Sequence, residues 1–239
     1  MSATSKPMLI IPGEALDFYL SQGYYRMHQD LFTCQFLPIE DNLYTVHWLR
    51  LVLAEVALGP TQRRLLRLNN ERFEVHRQPF RLTAELEELY ARYYQSISFD
   101  APETVEAFLL GGTTHNVFQT EVLEVRDQGR LVAAGIFDPG TRTLAGIMNF
   151  YDPDYHRHSL GKYLMLLKVE YARRQGFTHY YPGYLVHNYP KFDYKLFPCR
   201  AATQVYDALA GQWQPFSWDT VHRQAADLLG GWNDMDLPE

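Results

Sequence analysis

The run from Thr143 to Pro198 constrains the fold more than any other part of this chain. Thr143 to Tyr151 is mostly apolar and stops at Asp152-Pro153-Asp154, which reads as a strand followed by a turn. Ser159 then stands where a helix N-cap is expected. Behind it Leu160, Tyr163, Leu164, Leu167 and Tyr171 recur at spacings of three and four. Arg173 and Arg174 fill the last turn and Gly176 ends it, as helix C-termini prefer. Thr178 to Val186 is aromatic and β-branched, a second strand. Strand, helix and strand with short connections make a right-handed crossover between parallel strands. A ligand is expected at the loop leaving the first strand and at the helix N-terminus.

The rest of the chain is read around that unit. Gly13 to Gln22 suggests a first helix. Leu31 to Leu37 and Leu43 to Val56 are extended apolar segments divided by Asp41-Asn42. Gly59-Pro60 breaks the pattern, and Thr61 is placed to cap a short helix through Asn69 on which Arg63 and Arg67 share a face. Phe73 to His76 reads as a strand. From Thr83, a cap, the helical face is Leu86, Leu89, Tyr90, Tyr93 and Tyr94, and Pro102 opens another helix through Leu110. Three strands follow, Asn116 to Arg126, Arg130 to Asp138 and Arg142 to Tyr151, separated by hairpin-type turns at Asp127-Gln128-Gly129 and Asp138-Pro139-Gly140-Thr141. A last helix over roughly Ala201 to Ala210 and a strand are expected to finish the sheet. Beyond Thr220 an acidic helix and the tail read as peripheral.

Composition excludes several classes. No apolar run approaches the length of a membrane span, and the N-terminus, with one Lys before a very short apolar run, is too weak for a signal peptide. Cys34 and Cys199 are too few and too far apart for a Cys-rich metal site or a disulfide framework, so a reduced, cytoplasmic setting is the expectation. The formal net charge of −6 hides two positive regions. Pro60 to Arg81 holds six Arg against two Glu, and Arg157 to Arg200 holds eight Lys or Arg against two acids. If these meet around one cleft they form a phosphate-binding surface on an acidic protein. His156 and His158 have a His-x-His spacing without partner ligands, so no metal is expected there.

The order helix, helix, three antiparallel strands, helix, strand is that of the GNAT acyltransferase fold, an α+β class with a mixed sheet flanked by helices. The central residues also resemble a narrower family. Tyr151-Asp152-Pro153-Asp154, Ser159-Leu160-Gly161, Tyr181, Gly183 and Tyr184, and Pro190-Lys191 with Tyr194-Lys195 resemble, in order, segments of the C-terminal domain of arginyl-tRNA–protein transferases and their bacterial leucyl-transferring relatives. Upstream, LDFYLSQGYYR and QRRLLRLNNERFEV resemble two further segments. The resemblance covers about 13–216, densely only over 150–198. It implies a shortened N-terminal subdomain (1–80), a GNAT-like transfer domain (81–219) and an acidic extension (220–239). The family usually carries several N-terminal cysteines for a metal or iron–sulfur cluster; here only Cys34 stands in that region.

The implied reaction moves an amino acid, arginine or leucine, from charged tRNA to the α-amine of a protein with a destabilising first residue. The partners are aminoacyl-tRNA and protein N-termini, and no cofactor or stable metal is needed. An α-amine is already partly neutral at pH 7, so positioning and oxyanion stabilisation should carry most of the rate. Asp152, Lys191, Tyr194 and Lys195 are the expected catalytic residues, with Asp152 orienting or deprotonating the amine and the lysines facing the carbonyl oxygen or phosphates. Ser159, Leu160, Gly161, Tyr181, Gly183 and Tyr184 are expected to bind substrate, and Arg26, Arg63, Arg64 and Arg67 to touch tRNA. An acyl-CoA-dependent GNAT enzyme is the competing reading, weakened by the single glycine before the helix. A non-catalytic binder of tRNA or N-termini is the other.

Overall fold

The computed structural model describes residues 10–99 and 101–233. Helix α1 (Gly13–Ser21) leads into a hairpin of β1 (Tyr25–Met27) and β2 (Asp30–Phe32), then β3 (Phe36–Ile39) and the long β4 (Asn42–Val52). Helix α2 (Pro60–Arg72), β5 (Glu74–Pro79), α3 (Ala84–Ser96) and α4 (Val105–Leu109) follow. Next come the meander β6 (Glu121–Asp127), β7 (Arg130–Pro139) and β8 (Thr143–Tyr151), then α5 (Leu160–Arg174) and β9 (His179–Val186). The chain closes with β10 (Thr203–Asp207), β11 (Gln212–Pro215) and α6 (Trp218–Asn233).

One sheet of nine strands holds the molecule together, in the order β11-β10-β4-β9-β8-β7-β6-β5 with β3 also on β4. Only β8 and β9 run parallel among its named pairs, joined through α5 as the crossover requires. The turn between β6 and β7 sets Gln128 and Gly129 at φ 52° and 84°, the left-handed pair that a two-residue hairpin turn needs. β7 is buried along nearly its whole length because α5 and α3 cover its two faces. Its small residues allow that approach. A Cβ on Gly135 would lie 3.0 Å from Leu164 Cδ2 and 3.2 Å from Lys168 Cε.

Several expectations are corrected. Ala201 to Ala210 is not a helix: Thr203 to Val205 pair with β4 and the residues beyond pair with β11, so sheet pairing overrides the alanines. The helix expected from Pro102 is short, Val105–Leu109, capped by Thr104 and by the Glu87 carboxylate accepting from the Val105 and Glu106 amides. Ser159 lies at φ 49° and its side chain makes no capping bond, and Gly59 rather than Thr61 precedes α2. Helix α6 is not peripheral, since Val221, Ala225 and Leu228 are buried and Gln224 bonds His47 of β4. The final residues of the acidic tail, 234–239, and the N-terminal 1–9 lie outside the described residues. Strands before and after residue 80, among them residues 42–52, 74–79 and 121–127, share the one sheet. No helix of the described residues is long and apolar enough to cross a membrane.

Candidate active site

The parallel pairing of β8 with β9 is short, running from Thr143↔His179 to Ala145↔Tyr181. Beyond that point the two strands part. Tyr25, from β1, sits at the fork, with its hydroxyl placed to donate to the Gly146 carbonyl and, at 3.0 Å, to that of Tyr181. Burial pushes the Tyr25 phenol well above its ordinary range, so it remains a donor. Past the fork opens a cavity of about 440 Å³. Its wall is largely aromatic: Tyr25, Phe32 and Trp48 from the N-terminal strands, Tyr90 and Tyr93 from α3, and Tyr180, Tyr184, Phe192 and Tyr194 from β9 and the turn after it. Trp48 stacks on Tyr25 at 5.2 Å and meets Tyr184 edge-on at 5.0 Å, which fixes one side.

Two lysines line this cavity, and they are held differently. Lys168, wholly buried on α5, donates to Ile136 O at 2.7 Å, Met148 O at 3.2 Å and Asn149 Oδ1 at 2.8 Å. The β7–β8 register slips between Ile136 and Phe137, and this bulge is where the Lys168 amine supplies donors to carbonyls of both strands. Lys195, on the short 3₁₀ turn Pro190–Leu196, makes no hydrogen bond or ion pair among the described residues. Its amine lies 4.4 Å from the Phe192 ring centre and 5.1 Å from those of Tyr184 and Tyr194. Desolvation pulls both amines down to about 7. Gly183, at φ 101°, makes room for the lysine stem: a Cβ there would lie 3.3 Å from Lys195 Cε. Lys191 is exposed, its amine 4.1 Å from the ring centre of Phe99, which belongs to the cavity wall. Tyr194 is 49% exposed, and burial of its phenol raises that group above the ordinary tyrosine range.

Gly183, Tyr184, Tyr194 and Lys195 thus share the cavity, with Lys191 beside Phe99, while the remaining expected site residues do not gather there as free groups. Asp152 is 1% exposed and does not line the cavity. Its carboxylate pairs with Arg130 at 2.5 Å and Arg92 at 3.4 Å, and accepts from the Asp154 amide at 3.1 Å. Leu160 is fully buried in the core, and neither it, Ser159 nor Gly161 lines the cavity. Tyr181 contributes only its backbone carbonyl to the fork, while its ring packs on Trp213. Arg26 is a correction. It is buried, ion-paired with Asp138 at 3.1 Å, and its remaining N–H groups go to His28 O, Thr120, Leu109 O and Asn116, leaving none for a phosphate. Arg63, Arg64 and Arg67 are exposed on α2, away from the cavity wall. Lys168, Tyr25 and Trp48 escaped the sequence reading. Lys168 had a signal, since it stands one position past Leu167 on an otherwise apolar helix face.

The described residues do not make a cluster site. Cys34 stands alone near the cavity's outer strands, its thiol pushed up to about 11 by burial, and no group of three or more potential metal ligands occurs among the described residues.

The sequence pattern of the family described as "Arginine-tRNA-protein transferase, C terminus" matches residues 85–197. An aspartate/glutamate leucyltransferase of Granulibacter bethesdensis is 31% identical over 217 residues, covering 88% of this chain and 77% of the relative. Another, of Stenotrophomonas maltophilia, is 30% identical over 159 residues, 61% of each chain, so that match spans less than two thirds of the relative. Among solved structures, FemX superposes with a TM-score of 0.48 at 9% identity over 88% of this chain and 70% of its own, too distant to bear on chemistry.

Proposed function

The chain belongs to the arginine-tRNA–protein transferase family, and from that premise we propose that it moves an amino acid from charged tRNA to the N-terminal α-amine of a protein. The observation that carries this reading is the cavity at the β8–β9 fork, where aromatic walls surround two amines. A flat adenosine and an amino-acid side chain both suit such walls. The ester carbonyl then sits within reach of phenol hydroxyls. Tyr180 and Tyr194, both raised by burial, stay protonated and are donors for the oxyanion that develops as the amine attacks. This replaces the turn at Ser159–Gly161 as the source of oxyanion donors. Lys191, beside Phe99 on the cavity wall, is suited to the phosphates of the tRNA 3′ end. Arg63, Arg64 and Arg67 offer a positive helix face to the tRNA body.

Leucine is the donor we favour over arginine. No carboxylate lines the cavity among the described residues, so a guanidinium entering it would find amines and no partner. The named relatives are aspartate/glutamate leucyltransferases, and we take aspartate and glutamate as the acceptor residues. The test is to incubate the protein with leucyl- and arginyl-tRNA and with peptides beginning Asp, Glu, Arg or Lys. Labelled leucine on the Asp and Glu peptides is the expected product. Acetyl-CoA turnover with no amino acid on any peptide would sink the reading.

A further inference from the structure

We propose that Lys195 is the proton acceptor of this site, a role that rests on the functional reading above. The free amine that attacks an ester is neutral, but its nitrogen becomes positive on forming the C–N bond. Unless it then loses a proton, the adduct expels the amine again rather than the ribose oxygen. A base must therefore face the adduct nitrogen.

The cavity offers few groups for the task. Asp152 is outside it and paired to two arginines. The phenols of Tyr25, Tyr180 and Tyr184 on the facing strands, of Tyr90 and Tyr93 on α3 and of Tyr194 on the same turn are all raised by burial, so they donate and do not accept protons. Lys168 has an acceptor on each of its three N–H bonds, and its lone pair is free only if that set breaks. Arg26 is committed to Asp138, and the His28 ring lies against Gly111, turned to that loop. Asp193, on the turn itself, lines a separate small pocket with Trp218 and His222. Lys195 remains: an amine with no hydrogen-bond partner among the described residues, enclosed by three ring faces and held against Gly183. Its low proton affinity agrees with this placement, and a base that titrates near neutral pH can both take and return a proton.

The step balances without another reagent. The α-amine nitrogen bonds to the ester carbonyl carbon, and one of its protons passes to Lys195 Nζ. The carbon–oxygen bond to the ribose then breaks, and the ribose oxygen takes that proton from the Lys195 ammonium.

Two measurements on the full chain decide the matter. The first is trace acetylation of lysine amines with acetic anhydride across pH, read for each lysine by peptide mass spectrometry. Lys195 should reach half its maximal reactivity near pH 7, not in the ordinary lysine range of about 10.4. The second is single-turnover transfer by Lys195→Arg, which keeps a cation and cannot accept a proton. The rate should fall on the order of 100-fold at pH 7.5, with the KM for charged tRNA unchanged within about threefold and the rising limb near pH 7 gone. Lys195→Met should match it. Three results would each overturn the proposal: an ordinary titration of Lys195, transfer by Lys195→Arg at the wild-type rate, or a loss confined to KM. A wild-type protein that moves no amino acid from any charged tRNA would remove the functional reading itself, and this role with it.

Discussion

Two short turns leave the ends of the parallel strands, and they have opposite characters. Pro153–His158, after β8, is tied into the protein, although Asp154 and Arg157 point to solvent. Asp152 holds Arg130 and Arg92, the Tyr155 hydroxyl donates to Asp127 at 2.9 Å, and the His158 carbonyl accepts from Asn69 at 2.9 Å. Pro190–Leu196, after β9, leaves polar groups unengaged: the side chains of Lys191, Tyr194 and Lys195 make no hydrogen bond or ion pair among the described residues. Both turns carry charged residues in a familiar order, yet only the second faces the cavity. Charge near a strand end becomes available for chemistry when the fold leaves it without a partner.

The contrast breaks most directly through mutation of the second turn. Lys195→Ala and Lys191→Ala should each lower transfer on the order of 100-fold or more, with melting temperatures within about 2 °C of the parent. Transfer near the wild-type rate in both would move the site elsewhere. pH gives the next largest effect, acting on the strand that supports β9. Burial lowers His47 to about 4, so between that value and its unfolded value near 6.5 the unfolded chain binds the extra proton. Stability from this group is complete above about pH 6.5 and is lost as pH falls toward 4, a total on the order of 3 kcal/mol. Urea unfolding of His47→Gln should show a flatter acid limb than the parent.

In the first turn the expected effect is structural. Asp152→Ala should cost about 2 kcal/mol, through a lost cap and lost charge-assisted bonds, while transfer per folded molecule stays close to normal. A shift in the urea midpoint with an unchanged slope would show it; a collapse in activity of the folded protein would return Asp152 to the chemistry. Smallest of all is Ser159→Gly. Ser159 sits at φ 49° with no side-chain capping bond, so glycine should relieve strain and add about 0.5–1 kcal/mol without altering transfer. A fall in transfer would mean that the hydroxyl touches substrate.

Much of the architecture was readable because it is local. The β6–β7 and β7–β8 turns carry their own Gly, Pro and Asp signals, and α5 carries its period. Of the candidate cavity, the part that sequence alone pointed to is the one where an ordered set of residues, Gly183 to Lys195, stays close in the chain. What could not be read depends on distant partners. Nothing near Arg26 reveals that Asp138, on β7, will neutralise it, and nothing near Asp152 reveals Arg92 on α3. The same holds for Tyr25, whose role at the fork exists only once Gly146 and Tyr181 are in place. Alanines at 201, 202 and 210 suggested a helix because the pairing with Leu51 and Leu49 lies far back along the chain.

Strand β4 lies between β9 and β10, both of which are made long after it. A chain leaving the ribosome therefore holds β4 paired only with β3, over residues 42–45, and the sheet closes only when nearly all of the protein has been synthesised. Folding of this kind is governed by non-local pairing and is slow for its size. It also means that a fragment limited to residues 85–197 would expose the edge of β9 that β4 normally covers, beside the half-built cavity. Such a fragment invites association with other strands in place of β4. Strand β4 is thus the cover that keeps the β9 edge from pairing elsewhere.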